Sequence, residues 1–200
     1  VLVIDLDSQG SMTSILGGTV EDEWSTVFPL IAKDYAKSVV AENAVRAAAG
    51  EPELPLDETL NEALRVSSRN VIQKTHWSNI DLIGAQLNLY WAEFQIPVWR
   101  MGLRSWPLWD ALSNFLEQEG ILDDYDIVFL DTPPALGYLT INALAAAGYP
   151  AGAAGGRRFW SLTRRGGSST CFIPPSPPSR RARIWAQRAA GLPEIKLNGM

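Results

Sequence analysis

The sequence predicts an α/β fold: a parallel sheet with helices packed against it. Three observations carry this. Residues 125–134 read Y-D-I-V-F-L-D-T-P-P, with four unbroken apolar residues at 127–130, the pattern of a strand buried on both faces. The chain opens on a second such run, Val1 to Ile4, in V-L-V-I-D-L-D-S-Q-G. Between and after these runs, strand candidates alternate with helix-period segments, as parallel strands joined by right-handed crossovers require.

After the first strand, residues 11–16 predict a short helix that Gly17 and Gly18 end. Residues 20–49 read as helical, with Trp24, Val27, Phe28 and Ile31 at helical spacing and Pro29 marking a kink or boundary. Two prolines make 51–57 a loop, and Asp57 is a candidate N-cap for a short helix through Leu60, Ala63 and Leu64. Residues 80–83 predict a third strand, with 86–89 continuing toward the sheet edge. Residues 90–109 hold Tyr90, Trp91, Phe94, Trp99, Trp106 and Trp109. Tryptophans so clustered can stack on bases, but only Arg100 and Arg104 lie among them, which favours packing. Trp109, Leu112, Phe115 and Leu116 mark an amphipathic helix ending near Gly120, and 136–147 read as the helix after the last strand.

Both buried runs end in carboxylates. The strand at 127–130 runs into Asp131 and Thr132, and Pro133 and Pro134 stop it. A carboxylate at the carboxyl end of a parallel strand lies where open α/β sheets place ligands, although an Asp there can also simply cap a turn. Asp5 and Asp7 follow the first run and share a side if the strand persists. Like charges that close are costly without a cation or donors between them. The two strand ends together point to one Mg²⁺-phosphate site.

Composition narrows the class. A single cysteine, Cys171, excludes an internal disulfide and a cysteine zinc site. No apolar span is long enough to cross a bilayer and no signal peptide is visible, which fits a cytoplasmic chain. The lone histidine, His76, reads as a surface or packing residue. The net charge of −5 divides unevenly: residues 1–150 hold 8 Lys/Arg and 21 Asp/Glu, and residues 151–200 hold 9 and 1.

Three segments carry a family resemblance. V-L-V-I-D-L-D-S-Q-G-S-M-T resembles the D-x-D-P-Q-G-N segment of ParA-type partition ATPases. N-I-D-L-I-G-A-Q-L-N-L-Y resembles their third recurring strand, and D-I-V-F-L-D-T-P-P-A-L-G-Y-L-T-I-N-A-L resembles their Walker B strand and following helix. The resemblance covers roughly residues 1 to 148, in the family's order. It implies a P-loop NTPase-like parallel sheet, here incomplete at both ends, that binds ATP and Mg²⁺. By position, Asp131 would orient Mg²⁺ through a bound water, and Thr132 would link that strand to the γ-phosphate side. Asp7 and Gln9 would lie in the switch that positions the attacking water, with Asp5 beside it toward metal and phosphates. Ser8 departs from the family's proline and Ser11 from its asparagine. The resemblance further implies a homodimer sandwiching ATP, nucleoid DNA as a partner, a ParB-type protein that stimulates hydrolysis, and no membrane partner. A membrane-positioning relative would carry a C-terminal amphipathic helix, and an iron–sulfur carrier a C-x-x-C; neither pattern is present. The family's deviant Walker A loop, K-G-G-x-G-K-[ST], is not found in these 200 residues. The chain therefore reads as a fragment, with weak ATP binding. An inactive remnant is the alternative, as is a non-enzyme with a DNA-binding tail.

The tail follows different rules. Residues 149–185 are rich in Pro, Ser, Gly and Arg, with seven arginines between 157 and 183. They read as a disordered basic linker, a phosphate-binding arm, or a frameshifted stretch. The last reading explains most. In one alternative codon frame, residues 149–156 can encode I-L-L-V-P-L-G-A, an apolar strand. In the other, 160–185 can encode an amphipathic helix with its acidic residues restored. Three single-base shifts near 148, 158 and 186 would account for this, returning 186–200 to frame. The expectation is then an unpaired sheet edge beyond the 127–132 strand.

Overall fold

The computed structural model describes residues 1–147, 160–163 and 169–173. Strands β1 (Leu2–Asp5), β3 (Asp81–Ile83) and β4 (Val128–Thr132) are parallel, with β1 between the other two. A short β2 (Gln73–Lys74) runs antiparallel to β3. On the far side, β6 (Ser169–Ile173) runs antiparallel to β4 and β5 (Trp160–Thr163) antiparallel to β6. The order is β2-β3-β1-β4-β6-β5. The sheet is thus parallel at its centre and antiparallel at its margins. The expected open edge beyond β4 is corrected: Thr132 pairs with Ser169 and Val128 with Ile173. An exposed row of strand N–H and C=O groups is a template for any β-prone segment within reach, and S-T-C-F-I is one. The shifted-frame reading otherwise falls on residues outside those described.

Side-chain alternation divides the sheet's two faces. Leu2, Ile4, Ile83, Val128 and Leu130 join the main core with α2 (Phe28–Ala49), α6 (Ala111–Gln118) and α8 (Tyr138–Ala146). Val3 and Leu82 face the other way, against Leu16 at the end of α1 (Ser11–Ile15). Of the two readings of Pro29, the boundary holds and the kink does not: α2 begins at Phe28. Pro29 falls in the first turn, where no intrahelical N–H is needed. Asp57 caps α3 (Glu58–Ala63) as expected, accepting the Leu60 N–H at 2.8 Å.

The segment read as a strand continuation at 86–89 is instead a 3-10 turn, Leu87–Trp91, running into α5 (Ala92–Gly102). The packing reading of the aromatics holds for two of the six. Trp99 and Trp106 are buried, whereas Tyr90, Trp91, Phe94 and Trp109 are exposed. Inside the core Trp99 stacks on Tyr35 of α2 and Trp106 stands edge-on to it. Glu93 on α5 caps α8 from outside, its carboxylate accepting the Tyr138 and Leu139 N–H groups at 2.7 and 3.0 Å. A Cβ at Gly137 would come within 2.6 Å of that carboxylate, so the cap needs glycine there.

At the amino end of the central strands, Asp81 accepts from Lys74 Nζ at 2.8 Å and from the Tyr125 hydroxyl at 2.7 Å. Burial disfavours ionisation of Asp81. The hydrogen bonds from Lys74 and Tyr125 outweigh it and hold the carboxyl below its ordinary range. A depressed folded-state pKa contributes stability above the unfolded value, and that contribution is lost as pH falls through the folded value. Tyr125→Phe is therefore expected to cost about 1–2 kcal/mol at neutral pH. The difference should shrink as Asp81 protonates, and urea unfolding of both proteins from neutral to acidic pH would show it. A difference that stays constant on acidification would refute the assignment.

Candidate functional site

Asp5 ends β1 and Asp131 sits beside it on β4, the two paired in register. Register-paired residues on adjacent parallel strands point to the same face, here the face covered by α1. Both are buried, and the Leu6 N–H donates to the Asp131 carbonyl at 2.7 Å, extending the ladder past β1. Thr132, fully buried, follows on the opposite face.

The strand does not persist to Asp7. The chain turns at residues 7–10, with the Gly10 N–H donating to the Asp7 carbonyl at 2.8 Å and the Gln9 N–H to Asp7 Oδ1 at 3.0 Å. Gly10 adopts φ +61°, and a Cβ there would lie 2.8 Å from the Ala85 carbonyl oxygen. Glycine is required for both reasons. Asp7 is half-buried and Gln9 exposed, so both stay near the turn's outer side while Asp5 points inward.

Hydrogen-bond donors, not the Asp7 carboxylate, contact the Asp5 oxygens. Its Oδ2 accepts from the Thr13 N–H at 2.8 Å and the Thr13 hydroxyl at 2.7 Å, and its Oδ1 from the Asp7 N–H at 3.1 Å. Thr13 Oγ1 in turn accepts the Ala85 N–H at 2.8 Å. One carboxylate and one hydroxyl thereby tie together the ends of β1 and β3, helix α1 and the turn. Burial pushes the Asp5 pKa up; the hydrogen bonds from Thr13 and Asp7 pull against it, and the Asp7 charge adds to the rise. Thr13 and Ala85 were not legible as site residues. The only hint was a polar residue placed between Met12 and Leu16, on the face that α1 buries.

A cleft of about 420 Å³ lies over the turn, lined by Ser8, Gln9, Gly10, Ser14, Ala85, Gln86 and Leu87 among others. Gln86 Nε2 is buried there without a hydrogen-bond partner among the described residues. Asp5 and Asp131 do not line it. Mg²⁺ is commonly held by one or two carboxylates plus substrate oxygens and waters, not by an all-protein cage; a single strand-end carboxylate, Asp131, fits that demand, whereas both oxygens of the fully buried Asp5 already accept hydrogen bonds. Phosphate charge is less well met. Residues 1–32 contain no Lys or Arg, and no cation from this segment reaches the site.

A family model described as an AAA domain matches residues 1–150. The chain is similar to a Sinorhizobium fredii protein provisionally named replication protein A, 30% identical over 165 residues, covering 74% of this chain and 30% of that protein. It is similar to the cell division protein PomZ of Myxococcus xanthus, 30% identical over 147 residues, 74% of this chain and 34% of PomZ. The sporulation initiation inhibitor protein Soj of Bacillus subtilis is 29% identical over 147 residues, 73% of this chain and 42% of Soj. The chain thus spans well under half the length of each. No solved structure matches.

Proposed function

The chain belongs to the ParA-type family of P-loop partition ATPases, and we propose that its strand-end carboxylates form the Mg²⁺ and water-positioning half of an ATP-hydrolysing site used to segregate DNA. The register pairing of Asp5 with Asp131 carries this reading. It sets two carboxylates side by side at the carboxyl ends of adjacent parallel strands, with the residue 7–10 turn directly after one of them. Asp131 would hold Mg²⁺ through a bound water. Asp7 and Gln9 would orient the attacking water, Asp5 would fix the turn that carries them, and Thr132 would connect β4 to the γ-phosphate side. Mg²⁺, when bound, would neutralise charge developing on the phosphates. The side chains supply position and electrostatic stabilisation, the main requirements of phosphoryl transfer.

On this reading the working protein is a homodimer that sandwiches ATP, binds nucleoid DNA in the cytoplasm and responds to a ParB-type centromere-binding partner. The phosphates need a K-G-G-x-G-K-[ST] loop, which these 200 residues do not contain. We therefore expect the purified 200-residue chain to show no Mg-ATP turnover. A gene product in which such a loop precedes Val1 should hydrolyse Mg-ATP, and Asp131→Ala and Asp7→Ala should each lower its turnover by about 10²-fold or more. Independent sequencing upstream of Val1 and through codons 140–190 shows whether such a loop is encoded there and tests the three single-base shifts in the same read. Turnover by the 200-residue chain, or full activity of the Asp131 variant, would overturn the assignment.

A further inference from the structure

A second groove, of about 320 Å³, shares no residue with the cleft over the turn. It opens between a 3-10 turn at Glu23–Ser25, the segment leading into α3, and the start of α5. Its apolar lining is aromatic. Trp99 is the buried member, stacked on Phe28 with ring centroids 5.8 Å apart, and Trp24 stands edge-on to Phe28 at 6.3 Å. Trp91 lines the groove while leaving 69% of its surface exposed. Its charged lining is exclusively acidic, Glu23 and Asp57, and the other polar lining groups are amides and a hydroxyl.

The surrounding sequence deepens that bias. Residues 21–23 read E-D-E, and 51–62 carry five further acids; neither 1–32 nor 47–64 contains a Lys or Arg. Arg46 reaches this region but pairs with Glu51 and the Pro52 carbonyl. Glu23 has no ion pair or hydrogen bond to its carboxylate among the described residues. Asp57 spends one oxygen on the Leu60 N–H, and its other oxygen has no hydrogen-bond partner among the described residues.

We propose that this groove docks an arginine-bearing segment of a partner protein. Indole faces attract a cation, and a guanidinium adds planar stacking that an ammonium lacks. Its edge N–H groups would pair with Glu23 and Asp57 while its face rests on tryptophan. Arginine is also less strongly hydrated than lysine, so an aromatic pocket costs it less. The site does not depend on the nucleotide chemistry, and its test can succeed or fail independently of ATP hydrolysis.

The test is calorimetric titration of the 200-residue chain with acetyl-Gly-Arg-Gly-Arg-Gly-amide, alongside the same peptide with Lys or with Leu at both Arg positions. The Arg peptide should bind about tenfold more tightly than the Lys peptide, and the Leu peptide should not bind measurably. Trp91→Ala and Glu23→Gln alter side chains at the groove mouth and should each weaken Arg-peptide binding about fivefold or more, with circular dichroism unchanged. Four results would overturn the proposal. They are no binding of the Arg peptide, equal binding of the Leu peptide, Arg and Lys binding that both variants leave untouched, or a self-association of the free chain that Trp91→Ala abolishes. The last would assign the groove to a second copy.

Discussion

Trp106→Ala is expected to remove most of the stability of the domain. Trp106 is 1% exposed and is the largest fully buried side chain among the described residues. It packs edge-on against Tyr35 at 5.0 Å and Trp99 at 6.3 Å. Truncating a buried aromatic costs about 3–5 kcal/mol through lost burial and the cavity left behind. Its Nε1–H also donates at 2.8 Å to Oδ2 of Asp34, a buried carboxylate in the middle of α2 whose other oxygen accepts from Asn114 at 3.1 Å. Leaving that oxygen unpaired adds about 1–3 kcal/mol. Against a typical total of about 5–15 kcal/mol, the variant should be unfolded or nearly so at 37 °C.

Trp106→Phe separates the two terms. Most of the volume stays and the donor goes, so the cost should be about 1–3 kcal/mol, with a distinct pH signature. Burial raises the Asp34 pKa, and the hydrogen bonds from Trp106 and Asn114 oppose the rise. A raised folded-state pKa means the native state binds more protons than the unfolded state between the unfolded and folded values. Stability therefore falls as pH climbs through that window. Losing the Trp106 donor raises the pKa further, so the Phe variant should fall more steeply. Its deficit should be largest near neutrality and smallest below the ordinary carboxylate range. Urea unfolding at several pH values measures this; a pH-independent deficit would show that the Asp34 contact contributes nothing.

The central sheet was legible because its strands are buried on both faces and their sequences are unbroken apolar runs. Residues 1–4 and 127–130 could be little else, and both ended in the carboxylates that the structure pairs in register. A helix with its own punctuation was legible too, by Asp57 before α3. What could not be read depended on distant partners. The stretch from Leu87 to Gly102 carries Pro97 inside its helix and mixes buried with exposed aromatics, so its periodicity points to neither a strand nor a helix. Glu93 looks like an ordinary exposed helix charge until the amino end of α8 is placed against it. The edge beyond β4 was misjudged because strand capture depends on unsatisfied backbone groups, which side-chain pattern does not report. In the site, Asp5 and Asp131 were visible as strand-end acids. Thr13, eight residues beyond Asp5, acquires its role only when α1 folds back over the sheet.

That hidden residue gives the second large effect. Thr13→Val preserves shape but deletes the hydroxyl that donates to Asp5 and accepts from Ala85. The Ala85 N–H, on a residue 3% exposed, is left without an acceptor, and Asp5 Oδ2 keeps one donor of two. The expected cost is about 2–4 kcal/mol. Asp5→Ala should exceed it, at about 3–5 kcal/mol, because the Thr13 N–H, the Thr13 hydroxyl and the Asp7 N–H lose their acceptor together. The pH dependence has the same sign as at Asp34. Burial raises the Asp5 pKa and the Thr13 bonds restrain it, so Thr13→Val should be most damaging near neutrality and least below the ordinary carboxylate range. Thr13→Ser restores the hydroxyl and should recover most of the loss, which a volume effect alone would not allow. Amide hydrogen exchange provides a local readout. The Ala85 and Asp7 N–H groups should exchange faster in Thr13→Val and return toward wild type in Thr13→Ser. In a product carrying the phosphate loop, turnover should follow the same order, because the turn bearing Asp7 and Gln9 is held through this bridge. If Thr13→Val leaves the Ala85 amide as protected as in wild type, the bridge does not hold the turn, and Asp5 must act by another route.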